Sequence, residues 1–311
     1  MKTILITGAN SGLGKESARQ FSKQEGVKTI YLACRNQDKA NQAKLELEQS
    51  TGKTIFKVLN LDVSDPISAR NLVNNLEEPI NVLIMNAGGM GGKQSGLLNT
   101  NNVTNIFAQN ILGHAVLVDE LVKANKLLDV AMYAGSEAAR GVKKMKMARP
   151  KLKNNSVDEF ISVANGSFFN GQTDPMKTYG TVKYMGNLWM SSLARKHPHI
   201  RFVTMSPGAT SGTNVMNDLS PVMRFMFKYV LMDLMTFLGQ MHKVEVGAKR
   251  YVDAIYDKQF KSGFFYASKE SSMTGKLVDQ GSIFSDINDH TIQDNVYQAI
   301  HKLIDSINIS K

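Results

Sequence analysis

The sequence predicts a doubly wound α/β domain: a seven-stranded parallel sheet with helices on both faces, in three layers. Three observations carry that expectation. Short apolar runs rich in Ile, Val and Leu alternate with segments of helical length and periodicity. The first run passes straight into a glycine-rich turn. A chain of 311 residues, 42% hydrophobic and 21% charged, has the material for a large core.

The predicted strands, in order, are "KTILIT", "KTIYLAC", "KTIFKVLN", "INVLIMNAG", "LLDVAMYAGS", "IRFVTMSPG" and "SGFFYAS". Helices fill the gaps between the first four and are predicted again at about Lys177 to Lys196 and Lys243 to Lys258. No internal repeat and no linker-like boundary interrupts the pattern, so a single domain over residues 1–311 is expected. The apolar run before Gly8 is too short for the core of a secretory signal, and the mature chain is expected to start at Met1. Cys34 is the single cysteine, which excludes an internal disulfide and a multi-cysteine metal site and fits a reducing cytosol. It reads as a buried strand residue, and the expected location is cytoplasmic. The six histidines lack metal-ligand spacing, so no metal site is expected.

The turn "TGANSGLG", Thr7 to Gly14, follows the first strand. Gly8, Gly12 and Gly14 allow close backbone approach, with Asn10, Ser11 and Leu13 between them, and the next helix offers its N-terminal amides to a pyrophosphate. About twenty residues beyond Gly14, "LACRN" closes the second strand. A site for NAD would carry an acid there to bind the ribose 2′-hydroxyl. Arg35 stands in that place, and its planar fork suits a 2′-phosphate, so NADP (NADPH) is the expected cofactor, with Asn10 and Ser11 adding hydrogen bonds.

In "YGTVK", Tyr179 and Lys183 lie four residues apart, which stacks them on one helix face and lets the cation lower the pKa of the phenol. Holding a tyrosine near neutrality needs roughly 4 kcal/mol of preference for phenolate. A partly screened lysine does not supply all of it, and a second fixed positive charge, on a cofactor, is expected. The plainer alternative is a surface tyrosine one turn from a solvated lysine.

Together with "LDV" (Leu61 to Val63), "NAG" (Asn86 to Gly88), "NILG" (Asn110 to Gly113), Ser136 and "SPG" (Ser206 to Gly208), all in the family's order, these residues resemble the short-chain dehydrogenase/reductase family. The glycine spacing is that of its simple oxidoreductase branch, and the surroundings of "LACRN" and "NILGHAVL" look most like its retinol dehydrogenase and protochlorophyllide reductase side. The resemblance implies a Rossmann fold. It implies that Tyr179 gives or takes the substrate proton, that Lys183 holds the nicotinamide ribose, that Ser136 binds the substrate oxygen, and that Asn110 holds a water linking Lys183 to solvent. By position it implies that Asp62 and Val63 border the adenine, that Asn86, Ala87 and Gly88 pass under the cofactor, and that Pro207, Gly208 and Thr213 hold its nicotinamide end, with Thr210 an alternative to Thr213. The function so implied is hydride transfer between NADP and a carbonyl or alcohol. The alternatives are reduction of a C=C bond and a non-catalytic NADP-binding regulator or scaffold. Asn110, Ser136, Tyr179 and Lys183 together argue against the last.

Two stretches depart from the family's basic layout. Between Ser136 and Tyr179 lie 42 residues, an insertion at about 138–176. It includes "RGVKKMKMARPKLK", Arg140 to Lys153, with seven basic residues and no acid. That run reads either as a solvated loop or as a guide for an anionic substrate, carrier or membrane surface, which the formal charge of +10 permits. Nucleic acid is disfavoured, since no recognition motif accompanies the charge. The second stretch, Val215 to Met241, is methionine-rich and lies within about 209–243, where the family keeps its substrate lid. A mobile lid over a bulky apolar substrate, a static core helix and an interfacial helix on a bilayer are the readings it allows. Arg224, Lys228 and Asp233 interrupt the apolar run and disfavour a membrane span. A homo-oligomer and a peripheral membrane contact are compatible with the whole.

Overall fold

The computed structural model describes residues 2–143, 147–171, 174–210 and 241–307. Strands β1 (Lys2–Thr7), β2 (Val27–Cys34), β3 (Phe56–Asn60), β4 (Ile80–Met85), β5 (Leu127–Ala134), β6 (Arg201–Met205), β7 (Phe265–Ser268) and β8 (Leu277–Asp279) form one sheet in the order β3-β2-β1-β4-β5-β6-β7-β8. The first seven run parallel, as the sequence predicts. The eighth pairs antiparallel with β7, matching Ala267 to Val278. With three residues it is too short to carry a periodicity signal.

Period-two alternation divides the core between the faces of the sheet. Ile4 and Ile6 of β1 pack on one side with α1 (Gly12–Ser22), α2 (Gln37–Thr51) and, later in the chain, Val244–Tyr256. Leu5 packs on the other with α3 (Pro66–Asn74), α5 (Gly113–Lys123), α6 (Val157–Ala164), α7 (Pro175–Lys196) and His290–Ser306. Asn105–Phe107 forms the short α4, and the two late helices are α8 and α9. Cys34 is buried at the end of β2, and burial pushes its thiol up to about 11.

The helix carrying Tyr179 begins at Pro175, two residues before the expected start. Asp174 caps it, accepting hydrogen bonds from the backbone of Met176 at 3.0 Å and Lys177 at 3.1 Å, and proline suits the first helical position because it has no N–H to leave unpaired. Strand β3 starts at Phe56, not Lys53, because α2 runs on to Thr51 and ends on Gly52 in the left-handed region, at φ 66°.

The insertion joins the core. Phe160, Val163 and Ala164 of α6 are buried, and the Ala164 carbonyl accepts from the Thr104 backbone at 2.8 Å. No helix among the described residues is long and apolar enough to cross a membrane.

Candidate active site

The strand order reverses at β1, which has β2 on one side and β4 on the other. A doubly wound sheet opens its ligand crevice at such a point, beyond the strand ends. The Asn86 side chain, just past β4, donates to the carbonyls of Thr7 at 2.9 Å and Gly8 at 3.3 Å, tying the two strand ends together. A side chain on Gly14 would put its Cβ 2.4 Å from the Gly8 carbonyl oxygen, so the first turn of α1 closes only with glycine there. Ala87 donates its N–H to the Thr7 hydroxyl at 2.9 Å. Gly8, Asn10, Ser11, Gly12 and Leu13 thus present a tight turn and a helix N-terminus to the crevice, a cradle that fits a pyrophosphate. At its far side Arg35 is exposed and stands 3.5 Å from the Asp62 carboxylate; Val63 follows Asp62 in the loop after β3.

At the other end of the crevice, Ser136 lies two residues beyond β5, where its hydroxyl accepts from the Ala138 N–H at 3.2 Å and caps a single turn. Tyr179, partly buried on α7, shares a hydrogen bond with that hydroxyl. Lys183 is buried one turn on, and its ammonium is 5.7 Å from the Tyr179 ring centroid. It donates to the Ala134 carbonyl at 2.9 Å and to the Tyr133 hydroxyl at 3.3 Å.

Asn110 is fully buried in a π-helical turn, Ala108–Leu112. Its side-chain oxygen accepts from Gly89 N at 3.1 Å, and its amide donates to the carbonyls of Gly89 and Ile106, each at 2.8 Å. The hydrogen bonds of the side chain are therefore committed to Ile106 and the loop containing Gly88, and none of these goes to Lys183. Of the four residues expected to act together, the structure joins Ser136 with Tyr179 directly and sets Lys183 behind the phenol. Asn110 braces the loop beneath.

The electrostatics differ from the sequence expectation. Tyr179 is pushed up to about 12, first by desolvation and further by the Glu137 carboxylate, with the Ser136 hydrogen bond opposing both. Lys183 is itself lowered to about 7 by burial, and its ammonium is turned toward Ala134, so the protein's own groups leave the phenol protonated at neutral pH.

In the loop after β6, Pro207 and Gly208 line the same end, and Thr210 bonds back to the carbonyls of Gly208 at 3.1 Å and Pro207 at 3.4 Å. Thr213 and nearly all of Val215 to Met241 lie outside the described residues. Sequence reasoning passed over two buried groups here. Glu137, adjacent to Ser136, accepts from the Ser206 hydroxyl and from Ser268 N at 3.3 Å. His114 sits at Thr7, 3.0 Å from its hydroxyl, and burial lowers it to about 4. An acid directly after the serine of a strand end was the available signal for Glu137; His114, one turn beyond Asn110, had none beyond its spacing.

The basic run does not behave as a free loop throughout. Arg140 is buried and donates to the carbonyls of Gly141, Lys269, Glu270 and Ser272 at 2.6–3.0 Å. Arg149 Nη2 donates to both carboxylate oxygens of Asp286, at 2.7 and 2.5 Å, and Tyr184 donates to the same carboxylate at 2.7 Å. Lys143 pairs with Glu270 at 3.3 Å. Arg140 acts as a clamp because a guanidinium offers several donors in one plane.

The short chain dehydrogenase profile matches residues 2–131. Dehydrogenase/reductase SDR family member 12 of Bos taurus is 30% identical over 210 residues, 67% of this chain and 60% of that protein. The chain belongs to the short-chain dehydrogenase/reductase family. Retinol dehydrogenase 12 of Mus musculus is 35% identical over 128 residues, 40% of this chain and 39% of that one, so the likeness reaches the retinol dehydrogenase side of the family. The chain spans about 60% of the length of the first of these relatives. Among solved structures, salutaridine reductase of Papaver somniferum shares the fold with a TM-score of 0.61 at 18% identity, over 85% of this chain and 99% of that one. A short chain dehydrogenase of Shigella flexneri complexed with NADP does so with a TM-score of 0.51 at 19% identity, over 70% and 81%.

Proposed function

We propose that the protein is an NADP-dependent reductase of a lipophilic carbonyl compound, with Tyr179 as the general acid. The observation that carries this reading is the Tyr179 phenol, hydrogen-bonded to Ser136 at one end of a crevice whose other end is a pyrophosphate cradle. A bound NADPH supplies the hydride. The Tyr179 hydroxyl gives its proton to the substrate oxygen as negative charge develops there, and the Ser136 hydroxyl donates a hydrogen bond to the same oxygen. A phenol held near 12 is fully protonated at neutral pH, which favours the reductive direction. Once the proton has left, the Lys183 ammonium is the cation within reach of the phenolate. Arg35 stands where a 2′-phosphate would lie, and the pairing of its exposed guanidinium with half-buried Asp62 is weak enough to exchange for one. The retinol dehydrogenases among the relatives and the methionine-rich segment 215–241 support an apolar substrate.

The test is NADPH consumption over a panel of aldehydes, ketones, retinoids and enones, repeated with Tyr179→Phe. Turnover should fall by at least about 100-fold while NADPH still binds. Equal turnover by the variant removes the mechanism, and consumption confined to enones replaces carbonyl reduction by C=C reduction.

A further inference from the structure

Lys183 bridges two phenols. Its ammonium is 5.7 Å from the ring centroid of Tyr179, at the crevice, and 4.6 Å from that of Tyr133, which is fully buried behind it. Tyr133 lies in β5, three residues before Ser136, and its hydroxyl accepts one lysine hydrogen bond at 3.3 Å while the neighbouring Ala134 carbonyl accepts another at 2.9 Å. The Tyr133 ring is held on several sides. His114 and Trp189 meet it edge-on, each with centroids 6.4 Å away, and α7 passes so close that a Cβ on Gly186 would stand 2.5–2.7 Å from ring atoms. A glycine one turn beyond the lysine position therefore makes room for this tyrosine, and the tyrosine in turn meets the lysine.

We propose that Tyr133 is a positioning residue, whose hydroxyl and ring fix the Lys183 ammonium behind Tyr179 and keep it charged there. Burial strips water from the cation, and two oxygens and an aromatic face replace part of what it loses. The titratable and charged groups around it are Tyr133 from β5, Tyr179 on α7 itself, His114 from α5 and, further off, Glu137 after β5 with Tyr251 and Arg250 of α8. Glu137 is engaged by Ser206, Ser268 and Arg250, and His114 is neutral over the working range, so Tyr133 is the side chain that answers to the lysine directly. The role of Lys183 in turnover rests on the function proposed above; the interaction with Tyr133 does not.

The experiment follows the titration of Lys183 by NMR of protein carrying 13C-labelled lysine, with its signal assigned by loss in Lys183→Met. In Tyr133→Phe, which loses a single oxygen, the midpoint should fall by about one pH unit, a tenfold loss of protonated over neutral lysine. A second variant, Gly186→Ala, displaces the ring and should move the midpoint the same way if Tyr133→Phe does not fold. An unchanged midpoint in a folded variant overturns the proposal. Turnover supplies the second arm: with the substrate found by the panel, kcat of Tyr133→Phe should fall about ninefold at pH 8 but only about twofold at pH 6, with KM unchanged. A uniform loss across pH marks a merely structural tyrosine and also overturns it. A protein that shifts its lysine midpoint but consumes no NADPH with any substrate refutes the proposed function and leaves this inference standing.

Discussion

Glu137 and Arg250 form an ion pair 3.7 Å apart, and each side chain is only 6% exposed. Arg250 also donates to the Ser206 carbonyl at 3.2 Å, the Ser268 hydroxyl at 3.1 Å and the Gly275 carbonyl at 2.8 Å. The pair thereby ties the residue after Ser136 to the loop after β6 and to the far end of β7. Removing one partner leaves the other charge buried, so Arg250→Leu should cost about 3–5 kcal/mol in urea unfolding. Glu137→Gln keeps one acceptor oxygen, for the Ser268 N–H, and turns an amide donor toward the Ser206 hydroxyl, which can accept it, so it should cost less. A loss under about 0.5 kcal/mol in Arg250→Leu, the size of an ordinary surface change, would show the pair to be dispensable.

Arg35 decides cofactor choice in the proposed site. Arg35→Gln removes the fork but adds no repulsion, and should weaken NADPH binding by about 10- to 100-fold, with NADH little affected. Calorimetric titration of both dinucleotides measures this. Tighter binding of NADH than NADPH by the unaltered protein would show that Arg35 serves only its neighbour Asp62.

His114 predicts an acid limb in stability. Its folded value of about 4 lies below the ordinary 6.5, so the unfolded chain binds the extra proton between those values. The stability at stake is fully present above pH 6.5 and is lost as pH falls toward 4, by up to about 3 kcal/mol. Urea unfolding at a series of pH values should show a flatter decline over that window for His114→Gln than for the unaltered protein. Parallel declines would assign the acid sensitivity to other groups.

Lys183 predicts a trade between stability and activity. Its folded value near 7 lies below the ordinary 10.5, so the cost of burying the charge is fully felt below pH 7 and is relieved as pH rises toward 10.5. Lys183→Met should therefore be more stable at pH 6, on the order of 2–4 kcal/mol, with the gain vanishing near pH 10. It should also be inactive. A variant less stable than its parent at pH 6 would mean that the bonds to Tyr133 and Ala134 outweigh desolvation.

Most of the sheet was legible because seven strands are apolar runs in the right order and only β8 lacks the length to announce itself. The glycine turn and the Tyr179, Lys183 and Ser136 positions were legible because their spacing is local. What escaped depends on contacts between distant parts of the chain. The basic run shows why: composition makes Arg140 a surface charge, and only the arrival of residues 269–272 some 130 positions later buries it. The phenol's high pKa escaped for a related reason, since one-turn spacing brings Lys183 to Tyr179 but says nothing of the burial that raises the phenol, nor of Ala134 and Tyr133, which hold the cation by hydrogen bonds.

The four hydrogen-bond acceptors of Arg140 are all main-chain carbonyls. A strap closed on such oxygens has no proton of its own to gain or lose over ordinary pH, and burial shields it from salt. It is stitched a second time by Glu137 to Ser268. The two stretches thus behave as one cassette split across the chain. A chimera that took residues 137–143 from this protein without 268–275 would satisfy the guanidinium only where the incoming loop turns its carbonyls the same way, so recombination depends on that loop's backbone course and not on its side chains. Crossover points placed between them are safest when that loop keeps its length.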